Sequence, residues 1–135
     1  MKKHWLFTYG TFQDPEIQRI LFGSTRSGRR AKLKGWALFA SGEDGYLFIK
    51  PDLNGFVNGS VLELSETDLQ IADRWEDVPF YEREKAEIHL EDGPEMQAWI
   101  YSRRQGIGTP YAGDRYSLKD RKTVLAIARA SRKHR

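Results

Sequence analysis

Residues 4–9, HWLFTY, alternate so that Trp5, Phe7 and Tyr9 share one side, the period of a strand. Gly10 ends this run. In DPEIQRILFG, Asp14 before Pro15 forms a cap and first-turn pair that predicts a short helix, with Gly23 as its stop. KLKGWALFAS (32–41), YLFIKP (46–51) and FVNGSVLEL (56–64) are apolar or β-rich runs. The turn chemistry of GEDG and DLNG between them predicts consecutive strands. The period then changes. In SETDLQIADRWE (65–76), Ser65 and Asp68 resemble a capping box. At about 100° per residue, Leu69, Ile71, Ala72 and Trp75 form one apolar arc, opposite Glu66, Thr67, Gln70, Asp73 and Arg74. FYEREKAEIHL (80–90) and MQAWIYS (96–102) flank EDGP and read as a hairpin. The interleaved Glu82, Arg83, Glu84, Lys85 and Glu87 fit a half-solvated or edge strand. GIGTPYAGDRY (106–116) reads as a long loop. SLKDRKTVLAIARAS (117–131), opened by Ser117 and Asp120, reads as a last helix.

Roughly six strands and three helices follow. Strands outnumber any crossover connections, so the expected class is α+β, with a mostly antiparallel, curled sheet and helices against one side. The chain has 135 residues and no internal repeat, which fits a single domain over 1–135. Hydrophobic residues at 39% and aromatics at 13% are enough for a packed core. Cysteine is absent, which removes disulfides and cysteine-based nucleophile or zinc chemistry. His4, His89 and His134 are scattered in sequence, and neither a metal nor a cofactor is expected. No run of about 18 apolar residues predicts a membrane span, and the start reads as a strand, not a signal peptide. The expected compartment is the cytoplasm.

Charge is uneven. Residues 115–135 hold eight Lys/Arg and one acid, while the remainder holds 14 bases and 18 acids. This basic, helical C-terminal extension is either a solubilising surface or a contact for nucleic acid or an acidic partner. Sparse aromatics in it disfavour a platform for single-stranded nucleic acid.

Glu76 lies seven residues after Leu69 and four after Ala72, inside the apolar arc. Burial and the negative end of the helix both oppose its ionisation, which poises it for proton transfer. Pairing with Arg74 or Arg83 is the structural alternative. Asp73, Asp77 and Glu82 read as a solvated turn around it, and Pro79 limits continuation of the helix. In FTYGTF (7–12), Gly10 permits positive φ and close approach, and the turn's N–H groups could form an anion nest. Taken alone, the motif fits an ordinary turn better, since strand–Gly–Thr turns are common.

Together these motifs resemble the γ-glutamylcyclotransferase-like (AIG2-like) family. The resemblance is carried by Tyr9, Gly10, Thr11 and Phe12, by Val57 and Gly59, by Asp73, Trp75 and Glu76, by Tyr81 and Arg83, and by Tyr101 in AWIYS. It departs from the family pattern at Phe12, Ala72 and Asp77. It implies a small, six-stranded, twisted, barrel-like sheet with a few helices. It also implies a cyclising lyase or acyltransferase that cleaves a γ-glutamyl amide with the substrate's own α-amine, giving 5-oxoproline and an amine or amino acid. Glu76 would be the acid/base, and Tyr9 to Phe12 would hold the glutamyl head through backbone groups. Tyr81 and Tyr101, on strands, would either line the substrate pocket by hydroxyl or ring or pack in the core with a hydrogen bond. The alternative is a non-catalytic module that binds a small molecule or an acidic partner on the same fold.

Overall fold

The computed structural model describes residues 2–42, 45–76, 81–113, 115–117 and 119–133. Asp77, Pro79, Phe80 and His134 lie outside the described residues. The strands are β1 (His4–Thr8), β2 (Gly28–Ala40), β3 (Leu47–Leu64), β4 (Glu82–Leu90), β5 (Glu95–Ser102) and the two-residue β6 (Thr109–Pro110). The helices are α1 (Pro15–Phe22), α2 (Glu66–Trp75) and α3 (Arg121–Lys133), with a 3₁₀ turn at Thr11–Gln13.

The sheet runs in the order β3-β1-β5-β4-β2-β6, and an added β3–β2 pairing closes its first five strands into a barrel. The pairing of β1 with β5 is parallel, and the other pairings are antiparallel. The two strands expected at 46–51 and 56–64 are one 18-residue strand, β3. DLNG interrupts the ladder without ending the strand: β2 pairs with Pro51 and with Phe56 on either side of it, residues 52–55 bulge opposite Gly35, where φ is +88°, and Asp52 accepts from the Asn54 N–H at 3.0 Å. The expected loop at 106–116 contributes β6 to the free side of β2.

Adjacent residues on one strand face opposite sides. Phe7 joins Leu33, Ile49, Val57, Val61, Ile88 and Ile100 in a cluster built from strands, the barrel interior. Leu6 joins a second cluster with Ile17 and Leu21 of α1, Leu69 and Ala72 of α2, and Val124, Leu125 and Ala128 of α3. The basic C-terminal helix is therefore docked against α1 through its apolar stripe, inside the cluster that covers Leu6. Among the described residues no helix is long and apolar enough to cross a membrane.

Local signals explain how the helices are set. Asp14 accepts from the Glu16 N–H at 2.9 Å, Pro15 opens α1, and Gly23 ends it at φ +92°. Ser65 and Asp68 form the expected capping box. Asp68 also receives Arg26 through Nε at 2.8 Å and Nη2 at 2.9 Å, while Arg26 donates to the Phe22 carbonyl. Arg26 thereby ties the end of α1 to the start of α2. Burial opposes the Asp68 charge, but Arg26 and Ser65 outweigh it and hold the carboxyl below its usual range. α3 begins later than expected. Asp120 accepts from the Thr123 N–H at 2.8 Å, whereas the Ser117 hydroxyl donates to the Gly45 carbonyl.

Gly59 marks where β3 crowds β1. A Cβ there would lie 2.3 Å from the Thr8 carbonyl oxygen and 2.9 Å from the Phe7 ring, and neither the backbone nor a fully buried ring yields readily. Gly59→Ala is expected to destabilise the fold by about 1–3 kcal/mol, seen as a lower Tm. An unchanged Tm would show that β1 can move away from β3.

Candidate active site

Burial at the end of α2 converges with the end of β1 on a cavity of about 330 Å³. Thr8, Tyr9, Gly10 and Thr11 line one part of it, and Arg74, Trp75 and Glu76 another. Tyr81 and Tyr101 line it from the β4–β5 side, and Tyr46, Tyr116, Ile127 and Ser131 complete the wall. Of the residues expected from sequence, Tyr9, Gly10, Thr11, Glu76, Tyr81 and Tyr101 meet here. Phe12 does not: its ring is buried and stacks on Phe22 at 5.5 Å between centroids. The substitution of Phe at this position serves the α1 core, so only the Phe12 main chain could serve the cavity.

Glu76 is the C-cap residue of α2, with its N–H on the Ala72 carbonyl at 2.9 Å. The residue is half-buried. Loss of water around its carboxyl raises the pKa from 4.5 to about 8. This is the carboxylate that the helical period placed on the apolar face.

The turn after β1 differs from expectation. Gly10 has φ −119°, and a Cβ there would sit 3.8 Å from the Tyr116 carbonyl oxygen. Neither positive φ nor close approach requires glycine here. The Gln13 N–H closes on the Gly10 carbonyl at 3.1 Å. The Thr11 and Phe12 N–H groups, in the first turn of the 3₁₀ segment, have no acceptor within it. The Trp75 indole N–H donates to Thr11 Oγ1 at 2.8 Å, which fixes this turn against the end of α2.

The phenols are held by protein acceptors. Tyr9 donates to the Tyr101 carbonyl at 2.7 Å, Tyr81 to the Leu47 carbonyl at 3.0 Å and Tyr101 to Asp73 Oδ1 at 2.7 Å. Burial, with the nearby Tyr81 and Glu76, raises the Tyr9 pKa well above its usual value. Burial, then Asp73, raises that of Tyr101. Both stay protonated throughout the neutral range.

Asp73 is not part of a solvated turn. Arg83 grips it through Nε at 2.8 Å and Nη2 at 3.2 Å, and Tyr101 occupies the same carboxylate. Helical period alone turned Asp73 outward, but β4 and β5 cover that side of α2. Glu82 is exposed, as expected. The sequence reading also missed Tyr116. Its hydroxyl donates to Asp14 Oδ2 at 2.8 Å, beside Arg121 Nε at 2.8 Å from the same oxygen. Its only sequence signal was an aromatic in a glycine-rich segment. His89 lies with Glu87 and Glu95 on the β4–β5 hairpin, the one cluster at metal-ligand spacing among the described residues, and His4 is not part of it. Its Nδ1 is 3.2 Å from Glu95 and its Nε2 is 4.0 Å from Glu87, so its two nitrogens face different carboxylates. None of the three lines the cavity.

A family model described as gamma-glutamyl cyclotransferase, AIG2-like, matches residues 6–121. AIG2-like protein C of Arabidopsis thaliana is 36% identical over 91 residues, covering 67% of this chain and 52% of that protein. The chain thus aligns with about half the length of that relative. The crystal structure of an AIG2-like protein from Mus musculus, at 22% identity, superimposes with a TM-score of 0.70 and covers 91% of this chain and 94% of that one. A structure described as gamma-glutamyl cyclotransferase, at 14% identity, gives 0.71 and covers 98% and 81%. These two likenesses show the fold, a closed mixed barrel with one extra strand and flanking helices. The family match runs from β1 to the first residue of α3 and takes in Tyr9, Glu76, Tyr81 and Tyr101, so the chain belongs to the gamma-glutamyl cyclotransferase, AIG2-like family.

Proposed function

We propose that this chain is a cyclising enzyme that cleaves a γ-glutamyl amide and releases 5-oxoproline with an amine or amino acid. The observation that carries the reading is Glu76, a carboxyl group in the wall of a cavity of small-molecule size, with its pKa raised to about 8 by burial. That value lies where one group can both take and return a proton near neutral pH.

The substrate's α-ammonium, placed against Glu76, favours the carboxylate form by its charge. Glu76 accepts a proton, and the freed amine attacks the γ-carbonyl carbon. The tetrahedral centre collapses as the bond to the leaving nitrogen breaks. Two protons leave the α-nitrogen and both end on the released amine, with Glu76 carrying them in turn. Ring closure joins atoms already tethered, so the cavity has chiefly to hold the substrate folded. The N–H groups of Thr11 and Phe12 are the donors suited to the developing oxyanion or the substrate carboxylate.

Incubation with a panel of γ-glutamyl amino acids and amines, read by mass spectrometry, is expected to yield 5-oxoproline. Glu76→Gln should lower the rate by about 10²–10⁴ with the fold intact. Turnover in that variant equal to wild type would remove Glu76 from the chemistry.

The pH profile follows from the same group. Productive complexes need one proton fewer than the fully protonated pair of free Glu76 and ammonium substrate. kcat/KM should therefore rise with pH to a midpoint near 8 and fall about tenfold per unit below it. A midpoint near the ordinary value of 4.5 would contradict a desolvated Glu76.

Stability should respond in the opposite sense. Between pH 4.5 and about 8 the folded chain keeps a proton on Glu76 that the unfolded chain has lost. The contribution is complete below pH 4.5 and is lost as pH rises through about 8. Glu76→Gln should flatten this decline, by up to about 1.4 kcal/mol per pH unit, in denaturant melts compared at pH 5 and pH 9. Parallel pH dependence in both proteins would refute it.

A further inference from the structure

A phenol has one proton to donate and lone pairs with which to accept. The acceptors for Tyr9 and Tyr81 are main-chain carbonyls, those of Tyr101 and Leu47. The acceptor for Tyr101 is a side chain, Asp73, and that side chain is itself held by the two-pronged grip of Arg83. The Arg83 guanidinium is fixed in turn over the Trp99 ring, 4.3 Å from its centroid. An aspartate in an ion pair with arginine only accepts. The Tyr101 proton therefore has one direction, toward α2's outer side, and its oxygen has only lone pairs left to offer elsewhere.

We propose that Asp73 and Arg83 are positioning residues that set the polarity of the cavity: by binding the Tyr101 proton they withhold a donor from Glu76 and present the Tyr101 oxygen as an acceptor for the α-ammonium of the substrate. The assignment of the ammonium rests on the cyclising reading above; the withheld donor does not.

The surroundings of Glu76 agree. Tyr9 arrives from β1, Tyr81 from before β4, Tyr101 from β5 and Tyr46 from before β3. From the segment before α3 comes Tyr116, whose proton is on Asp14. Among the described residues none of these phenols donates a hydrogen bond to Glu76. Cations nearby among the described residues include Arg74, an exposed residue beside Glu76 on α2, Arg103, whose guanidinium lies 5.3 Å from the Tyr81 ring centroid, and Lys119, whose Nζ lies 5.4 Å from that of Tyr46. α3 brings Ile127 and Ser131, which carry no charge. A carboxyl that receives no proton from the described phenols resists ionisation until a cation arrives, and phenol oxygens left as acceptors favour a ligand that brings donors.

The test reads the Glu76 carboxyl directly by ¹³C NMR titration of the free protein, with its resonance assigned by its loss in Glu76→Gln. Wild type should titrate near 8. Tyr101→Phe should leave that midpoint unchanged, because Tyr101 gives Glu76 nothing. Asp73→Ala removes the oxygen that accepts from Tyr101, so Tyr101 is released to donate to Glu76 and the midpoint should fall by about one unit. In Asp73→Ala/Tyr101→Phe the fall should be smaller, since the hydroxyl's share needs the Tyr101 oxygen and only the loss of the Asp73 charge remains. A raised midpoint in Tyr101→Phe, no fall in Asp73→Ala, or an equal fall in the double variant would each overturn the proposal. Thermal melts accompany every variant, and if Asp73→Ala does not fold, Tyr101→Phe alone decides. The titration needs no turnover, so absence of 5-oxoproline would count against the cyclisation and leave this result standing. Where turnover is seen, Tyr101→Phe should raise KM about tenfold, the loss of one hydrogen bond to a charged group. An unchanged KM would overturn the ammonium contact.

Discussion

β3 has to satisfy two neighbours over the same residues. Ser60 to Leu62 pair with Thr8 to Leu6 of β1 on one side and with Arg30 to Gly28 of β2 on the other. That double pairing turns a six-stranded sheet into a closed five-strand barrel, and it leaves no exposed edge at the strands that carry the site. It also forces β3 against the end of β1, which is why Gly59 faces the Thr8 carbonyl with no room for a side chain. The turn that lines the cavity begins at that same point. Barrel closure and site placement are thus one event in this fold.

Local rules read much of this chain correctly, where one element decides its own fate. Asp14-Pro15 and Gly23 bound α1, the capping box of Ser65 and Asp68 starts α2, and EDGP separates β4 from β5. The rules failed where a partner strand overrides them. DLNG has turn chemistry and does bulge, yet β2 pairs with the residues on both sides of it, so the chain continues in one strand instead of turning back. Thr109 and Pro110 have no strand pattern of their own, and β2 recruits them.

The candidate site divides in the same way. Glu76 was legible because helical period puts a carboxylate on an apolar face. Asp73 was misread by the same period, since nothing local shows that Arg83 and Tyr101 will close over it from two other strands. The Thr11–Trp75 bond joins residues 64 apart and has no local signature. Phe12 divides between core and site: its ring stacks on Phe22 in the core, which leaves its main chain, the part expected to serve the site, at the turn after β1.

Asp14 joins three parts of the chain that sequence keeps far apart. It caps α1, accepts the Tyr116 hydroxyl from the cavity wall, and receives Arg121 from the first turn of α3. Burial opposes its charge, and the Arg121, Glu16 and Tyr116 bonds more than offset it. These contacts make the wall and the helix one cooperative unit in local unfolding. When α3 lifts, Asp14 loses the Arg121 guanidinium that offsets its burial, which weakens the hold of this carboxylate on Tyr116 and on the first amide of α1, while the five paired strands remain closed. Hydrogen exchange would then report the wall of the cavity and the basic helix at one opening free energy, below that of the barrel. The barrel strands that hold Tyr101 would then be the stable frame, and the flank of Tyr116 and α3 would set how widely the cavity is exposed to solvent.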